Sequence, residues 1–300
     1  MEQISMLCDN PFEEKVQKAI ERFRAYEDIA LSFSPDGFYL AFSGGKDSQC
    51  IYHLAVDAGV KFTAHNHHTT VDPPELVQFL RKNYPDVLVE MPKKTMWQLI
   101  VDNRMPPSRL ARYCCKILKE GGGTGRICVT GVRWAESTAR SKRKVLEVVG
   151  KSKTGEMYLF NDNEDGRQQF ETCTAKGKRV LNPIIDWTDE DVWQYIRSRG
   201  IKYCSLYDEG YDRLGCIGCP MARKYGRERD FERWPTYKRG YIRAFEKLAE
   251  LRNTRGMNEG KRIRFDSGQA IFDWWMSDGK ALEEQMEGQE FMDETQSAGE

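Results

Sequence analysis

Two groups of residues carry chemical capability. The first is Ser43-Gly44-Gly45-Lys46-Asp47-Ser48. The apolar, non-alternating run at 38–42 before it reads as a strand buried on both faces, and Ile51, Leu54 and Ala55 after it share one helical face. A glycine bend at a helix amino-terminus gathers unpaired N–H groups and the positive end of the helix dipole, so it attracts an anion, and Lys46 adds a full charge. The spacing is too compact for the GxxxxGK[ST] loop of Walker nucleotide-binding proteins. The second group is four cysteines, the adjacent pair Cys114 and Cys115 and, far downstream, Cys216 and Cys219. Four thiolates suit a structural zinc or an iron–sulfur cluster. Adjacent cysteines, constrained by one peptide link, rarely both reach a single tetrahedral zinc, whereas a [4Fe-4S] cubane offers them separate irons. The spacing therefore favours the cluster, with zinc or free thiols as the alternatives.

Further residues could assist an anion site. Residues 127–132 read as a buried strand running into Arg133 and Arg140, and a guanidinium stays charged and can bond two oxygens of a phosphate or sulfate at once. Gly131 at that strand's end and Asp72, beyond a second strand at 60–66, lie where open parallel sheets take ligands. His65, His67 and His68 crowd together. They do not read as a metal site, because neighbours in an extended strand point oppositely and no acid or cysteine stands at a metal-site spacing.

The elements that must position these groups alternate. A helix over 11–31 precedes the strand at 38–42. Then come the helix from Ser48, the strand at 60–66, a helix from Pro74 to about residue 84, a strand at 87–90 and a short helix at 95–101. That alternation predicts an α/β fold with a doubly wound, mostly parallel sheet. Residues 141–178 are polar and glycine-rich, with a turn at 161–166, and read as an insertion. Thr188 is a good N-cap for a helix with acids in its first turn that ends at Gly200. The expected organisation is a helical segment at 1–36, a nucleotide- and cluster-binding domain at 37–221 with the insertion at 141–180, a basic helical region at 222–282 and an acidic, disordered tail at 283–300.

Forty-six basic and forty-six acidic residues cancel, so net charge does not announce a polyanionic partner. Distribution says more: fourteen Lys or Arg against six acids between 221 and 264, then ten acids and one lysine to the end, mark a basic block before a solvated tail. No run reaches the roughly eighteen apolar residues of a membrane span and the start lacks a secretory pattern, so the expectation is a cytoplasmic protein. Nine cysteines without a signal peptide then favour reduced thiols or metal ligands over disulfides.

Taken together, the loop, the four cysteines and the run Gly131-Val132-Arg133 through Ser137 to Arg140 resemble the phosphoadenylyl-sulfate reductase family of the adenine nucleotide alpha-hydrolase superfamily. The resemblance extends over roughly 38–221. It implies that Ser43, Gly44, Gly45, Lys46, Asp47, Ser48, Asp72, Gly131 and Arg133 bind ATP or an adenylyl sulfate. It also implies a [4Fe-4S] cluster on Cys114, Cys115, Cys216 and Cys219, and a catalytic group of Lys46, Asp47, Arg133 and Arg140, with Mg2+ oriented by Asp47.

The reductases of this family attack sulfur with a cysteine in a carboxy-terminal tail, and here no cysteine follows Cys219. Cys173 and Cys204 are the remaining candidates, Cys204 the one assigned a catalytic role. The intact loop with its lysine looks more like the ATP-cleaving members, and the sulfur-transfer protein of DNA phosphorothioation is similar. The leading expectation is thus an ATP pyrophosphatase in sulfur transfer, with nucleic acid as candidate acceptor and a sulfur donor or nuclease as candidate protein partner. The alternatives are a sulfonucleotide reductase that makes sulfite and a nucleotide- and cluster-binding regulator without turnover.

Overall fold

Phe38, Tyr39 and Leu40 are buried and Ala41 is half-buried, as expected of a strand inside a sheet. A computed structural model of the chain describes residues 10–138, 140–150, 157–160, 177–254 and 266–277. Cys8, Cys173, the turn at 161–166 and the tail at 283–300 lie outside the described residues. The described chain divides into two units, one of residues 1–67, 74–90 and 121–214, the other of 68–73, 91–120 and 215–300.

The first unit is built on a seven-stranded sheet. In chain order its strands are β1 (Phe38–Ala41), β2 (Phe62–His67), β3 (Leu88–Glu90), β4 (Ile127–Val129), β5 (Leu146–Gly150), β6 (Met157–Phe160) and β7 (Gly177–Leu181), in spatial order β3-β2-β1-β4-β7-β5-β6. The pairs β3–β2, β2–β1, β1–β4 and β4–β7 are parallel, and β5 and β6 add an antiparallel edge. The expected doubly wound, mostly parallel α/β sheet is what the chain forms. The polar segment after 141 supplies β5 and β6.

Helices α1 (Pro11–Ala25), α2 (Glu27–Phe33), α3 (Lys46–Ala58), α4 (Pro74–Asn83) and α7 (Asp189–Ser198) belong to this unit. Leu40, Phe38, Ile51, Leu54 and Trp187 are at most 1% exposed and form its core. Arg22 of α1 reaches Asp186 through two bonds of 2.9 and 3.1 Å and the Pro183 carbonyl at 2.7 Å, which fixes the approach to α7. The start of α7 is a capping box: Thr188 Oγ1 accepts from the Asp191 amide, and the Asp191 carboxylate accepts from the Thr188 amide.

The second unit is helical: α5 (Met96–Asp102), α6 (Tyr113–Leu118), α8 (Lys224–Arg233), α9 (Pro235–Thr254) and α10 (Gly268–Met276). Phe231, Tyr241, Phe245, Phe272 and Trp275 stack edge-on or tilted, with centroids 4.9–6.4 Å apart. The Trp275 indole donates to the Pro107 carbonyl at 2.6 Å, which closes the loop ahead of α6 onto this aromatic core. Among the described residues, no helix is long and apolar enough to cross a membrane.

Two consequences can be measured. Burial alone would raise the Asp191 carboxyl, but Lys15 at 2.6 Å and the Thr188 donors outweigh it and hold the group below its ordinary value. A depressed folded value makes this contribution present above about pH 4 and lost as pH falls through the folded value. Asp191→Asn should cost about 1 kcal/mol in urea unfolding at pH 7, and the difference should vanish at low pH. Gly44 has φ +77°, and a Cβ there would meet Leu80 Cδ2 at 2.7 Å, whereas one on Gly45 meets nothing closer than 3.4 Å. Gly44→Ala should therefore cost about 2–4 kcal/mol in thermal unfolding, and Gly45→Ala much less.

Candidate functional site

The bend between β1 and α3 is made by Gly44, with Gly45 as the N-cap of α3. Ser43, Gly45 and Ser48 bond one another: the Gly45 amide donates to Ser43 Oγ at 3.3 Å, Ser43 Oγ to Ser48 Oγ at 3.2 Å, and Ser48 Oγ to the Gly45 carbonyl at 2.8 Å. Lys46, in the first turn, is 5% exposed. Its amide donates to the Tyr207 hydroxyl at 2.9 Å, while its ammonium lies 2.9 Å from the Asp212 carbonyl and 3.1 Å from Asp189 Oδ1.

Arg133, 3% exposed, enters from the end of β4. Its Nε donates to Asp47 Oδ1 at 2.6 Å and its Nη2 to Asp189 Oδ1 at 3.0 Å, so one carboxylate oxygen receives from both Lys46 and Arg133. Burial opposes the Arg133 charge, but Asp47, Glu136 and Asp189 outweigh it and hold the guanidinium more firmly charged than usual. Burial lifts Asp47 above the usual carboxylate range, against the pull of Arg133 and Lys46. Gly131 belongs here for a steric reason, since a Cβ on it would stand 3.0 Å from the Asp47 backbone.

Three further expected site residues make contacts of their own. Arg140 pairs with Glu136, whose carboxylate also accepts from the Arg133 amide at 3.0 Å. Asp72 belongs to the second unit, where it accepts from the amide and hydroxyl of Thr69, both at 2.7 Å. Cys204 is 2% exposed and burial pushes its thiol up, the environment of a packing residue rather than an attacking thiolate. Cys50 and Cys128 are likewise buried and pushed up. In the other direction, Asp189, Tyr207 and Asp212 hold the loop lysine, and no spacing in the sequence announces them. The only local cue is that Asp189 directly follows the N-cap Thr188.

The four motif cysteines all belong to the second unit. Cys114 and Cys115 lie in the first turn of α6 and hydrogen-bond each other, and Cys216 and Cys219 are close enough to act on Cys114 electrostatically. The bond to Cys114, aided by Arg112, holds the Cys115 thiol down to about 5. Cys216 Sγ donates to Thr69 Oγ1 at 3.4 Å and accepts from Lys119. The turn between Cys216 and Cys219 is pinned at three points. The Ile217 amide donates to Val71 O at 2.8 Å, Tyr241 donates to Ile217 O at 3.0 Å, and the Gly218 amide donates to Asp230 at 2.9 Å. Gly218 has φ +69° and a Cβ there would strike Phe231 at 2.4 Å. Among the described residues, no three Cys, His, Asp or Glu side chains converge tightly enough to hold one metal ion.

That includes the histidines. His65 and His67 lie on one face of β2, and both meet Glu90 of β3, at 2.7 and 3.5 Å, while Tyr39 bonds His67 at 2.6 Å. The acidic neighbour missing along the chain comes from the adjacent strand, but the imidazoles are engaged in hydrogen bonds.

Residues 37–222 match the family model described as the phosphoadenosine phosphosulfate reductase domain. An uncharacterized protein of Methanocaldococcus jannaschii is 28% identical over 193 residues, which are 61% of this chain and 41% of that protein, so the chain spans less than half of that relative. An adenosine 5'-phosphosulfate reductase of Bacillus anthracis is 25% identical over 228 residues, covering 72% of this chain and 85% of that one. Among solved structures, a phosphoadenylyl-sulfate reductase of Candida auris is similar at 15% identity and a TM-score of 0.44, over 68% of this chain and 93% of that one, a likeness too loose to carry a functional argument. With the family model spanning the glycine bend, Arg133 and all four motif cysteines, the chain belongs to the phosphoadenosine phosphosulfate reductase family of the adenine nucleotide alpha-hydrolase superfamily.

Proposed function

We propose that the protein is an adenine-nucleotide enzyme of sulfur metabolism that uses ATP to adenylate an acceptor oxygen, releases pyrophosphate and places sulfur where the activated oxygen stood. The observation that carries this reading is the pair of buried cations, Lys46 and Arg133, converging on a single oxygen position at the amino end of α3. Cations fixed in a water-poor site stabilise the charge that grows on a leaving pyrophosphate more than mobile ones in bulk water. Arg133 is held in place by Asp47, so little reorganisation is needed when that charge develops. Ser43, Gly45 and Ser48 shape the bend. Mg2+, the usual companion of ATP, would take Asp47 as a hard oxygen ligand and spread the phosphate charge.

The donor set of the second unit suits a [4Fe-4S] cluster better than one zinc. Its thiols gather without converging on a single ion, and a cubane spreads its ligands over separate irons. Cys114, Cys115, Cys216 and Cys219 would hold it, and Lys119 and Arg112 would balance thiolate charge. When bound, such a cluster supplies electron or sulfur relay. A polyanionic acceptor, nucleic acid, is supported by residues 103–119, which carry Arg104, Arg109, Arg112, Lys116 and Lys119 and no acid.

A second reading, a sulfonucleotide reductase, is favoured by the Bacillus relative, which is named an adenosine 5'-phosphosulfate reductase. It needs an accessible attacking thiol, and Cys50, Cys128 and Cys204, each at most 2% exposed, are poor candidates.

Anaerobically purified protein with ATP, Mg2+, a nucleic-acid acceptor and sulfide should release pyrophosphate as the acceptor oxygen is adenylated and an equal amount of AMP as sulfide displaces it, and Lys46→Ala should slow this by about a hundredfold or more. Sulfite formed from adenylyl sulfate plus a thiol reductant, without ATP cleavage, would transfer the assignment to the reductase reading. Iron and acid-labile sulfide should approach about four of each per chain and fall sharply in Cys216→Ser. One bound zinc and no sulfide would end the cluster assignment.

A further inference from the structure

The loop's two cations are already occupied by a residue of the chain itself. Asp189 Oδ1 lies 3.1 Å from Lys46 Nζ and 3.0 Å from Arg133 Nη2, where a phosphoryl oxygen would need to sit to use both. The three groups differ in one respect. Lys46 and Arg133 are 5% and 3% exposed and packed in place, whereas the Asp189 side chain is 62% exposed. A surface carboxylate at the start of a helix can rotate away at little cost, while the cations cannot follow it. A cavity of about 260 Å³ adjoins it, lined by Asp189, Trp193, Arg197, Tyr207 and Asp212 among others, so the released carboxylate has room to move into.

We infer that Asp189 is the specificity-determining residue of this subsite: its carboxylate stands in for a phosphoryl or sulfonyl oxygen, and only a ligand bearing such an oxyanion displaces it. The inference rests on the proposed nucleotide reading and deepens it. A resident anion sets a threshold. Any ligand must compete with the carboxylate for both cations, so its apparent affinity is reduced by the fraction of time the subsite is closed. A ligand with a pyrophosphoryl group brings enough charge to win, while adenosine brings none and leaves Asp189 in place. Asp189 also links the occupant of the loop to the first turn of α7, because it directly follows the N-cap Thr188.

The test is calorimetric titration of the full chain with inorganic pyrophosphate, with adenosine as the uncharged comparison. Asp189→Asn keeps the side chain's size and hydrogen-bonding capacity but removes its charge, and it should tighten pyrophosphate binding by about tenfold while leaving adenosine unchanged. Glu190→Gln, one position on in the same turn, should change neither. Unchanged or weaker pyrophosphate binding in Asp189→Asn overturns the inference, since the carboxylate would then be arranging the cations rather than competing with the ligand. Lys46→Ala separates the two levels of argument. If the native chain binds pyrophosphate and Lys46→Ala abolishes it, the nucleotide reading stands whatever Asp189→Asn does. If neither the native chain nor Asp189→Asn binds pyrophosphate, both fall.

Discussion

The buried guanidinium of Arg133 is the interaction on which the first unit's site depends. It is placed by the end of β4 and bonds Asp47 in the first turn of α3 and Asp189 in the first turn of α7. Three segments far apart in the chain are thus joined by one side chain. A cation that is 3% exposed requires partners, because an unpaired buried charge costs several kcal/mol. The two aspartates satisfy it, and in doing so they define where a ligand's charge can be received. The same economy explains Gly131, whose missing Cβ lets the strand end approach Asp47 closely enough for the bond to form.

The second unit solves a different problem. Thiols that approach one another must be oriented by backbone, because cysteine has too short a side chain to search for its partners. Val71, Tyr241 and Asp230 each bond the turn between Cys216 and Cys219, and the aromatic core behind it holds Tyr241 and Phe231 rigid. The bond to Cys114, aided by Arg112, holds the Cys115 thiol down, whereas burial pushes Cys216 up against the pull of Lys119. These backbone contacts fix the turn that carries Cys216 and Cys219.

Much of this was legible along the chain. The strand, the glycine bend and the helix announced themselves because their signals are local: an unbroken apolar run, a residue type that tolerates positive φ, and a 3.6-residue periodicity. The cysteine pairs were legible because thiols are chemically distinctive. Cys204 misled because proximity in sequence to Cys216 says nothing about exposure, and its burial decides its chemistry. Arg140 misled for a related reason: it repeats the Arg133 signal but pairs with Glu136, four residues earlier.

By itself, the sequence determined the alternation of elements, the anion-attracting bend at Gly44 and the supply of four thiols, since each depends only on neighbours within a few residues. Tertiary structure alone decided that Asp189 and Tyr207 occupy the loop, that Glu90 meets the histidines from the next strand, and that Ile217 and Gly218 of the cysteine turn find Val71 and Asp230. Those are contacts between residues distant in the chain. Their partners are chosen by strand order and helix packing, which no local pattern of residue types specifies.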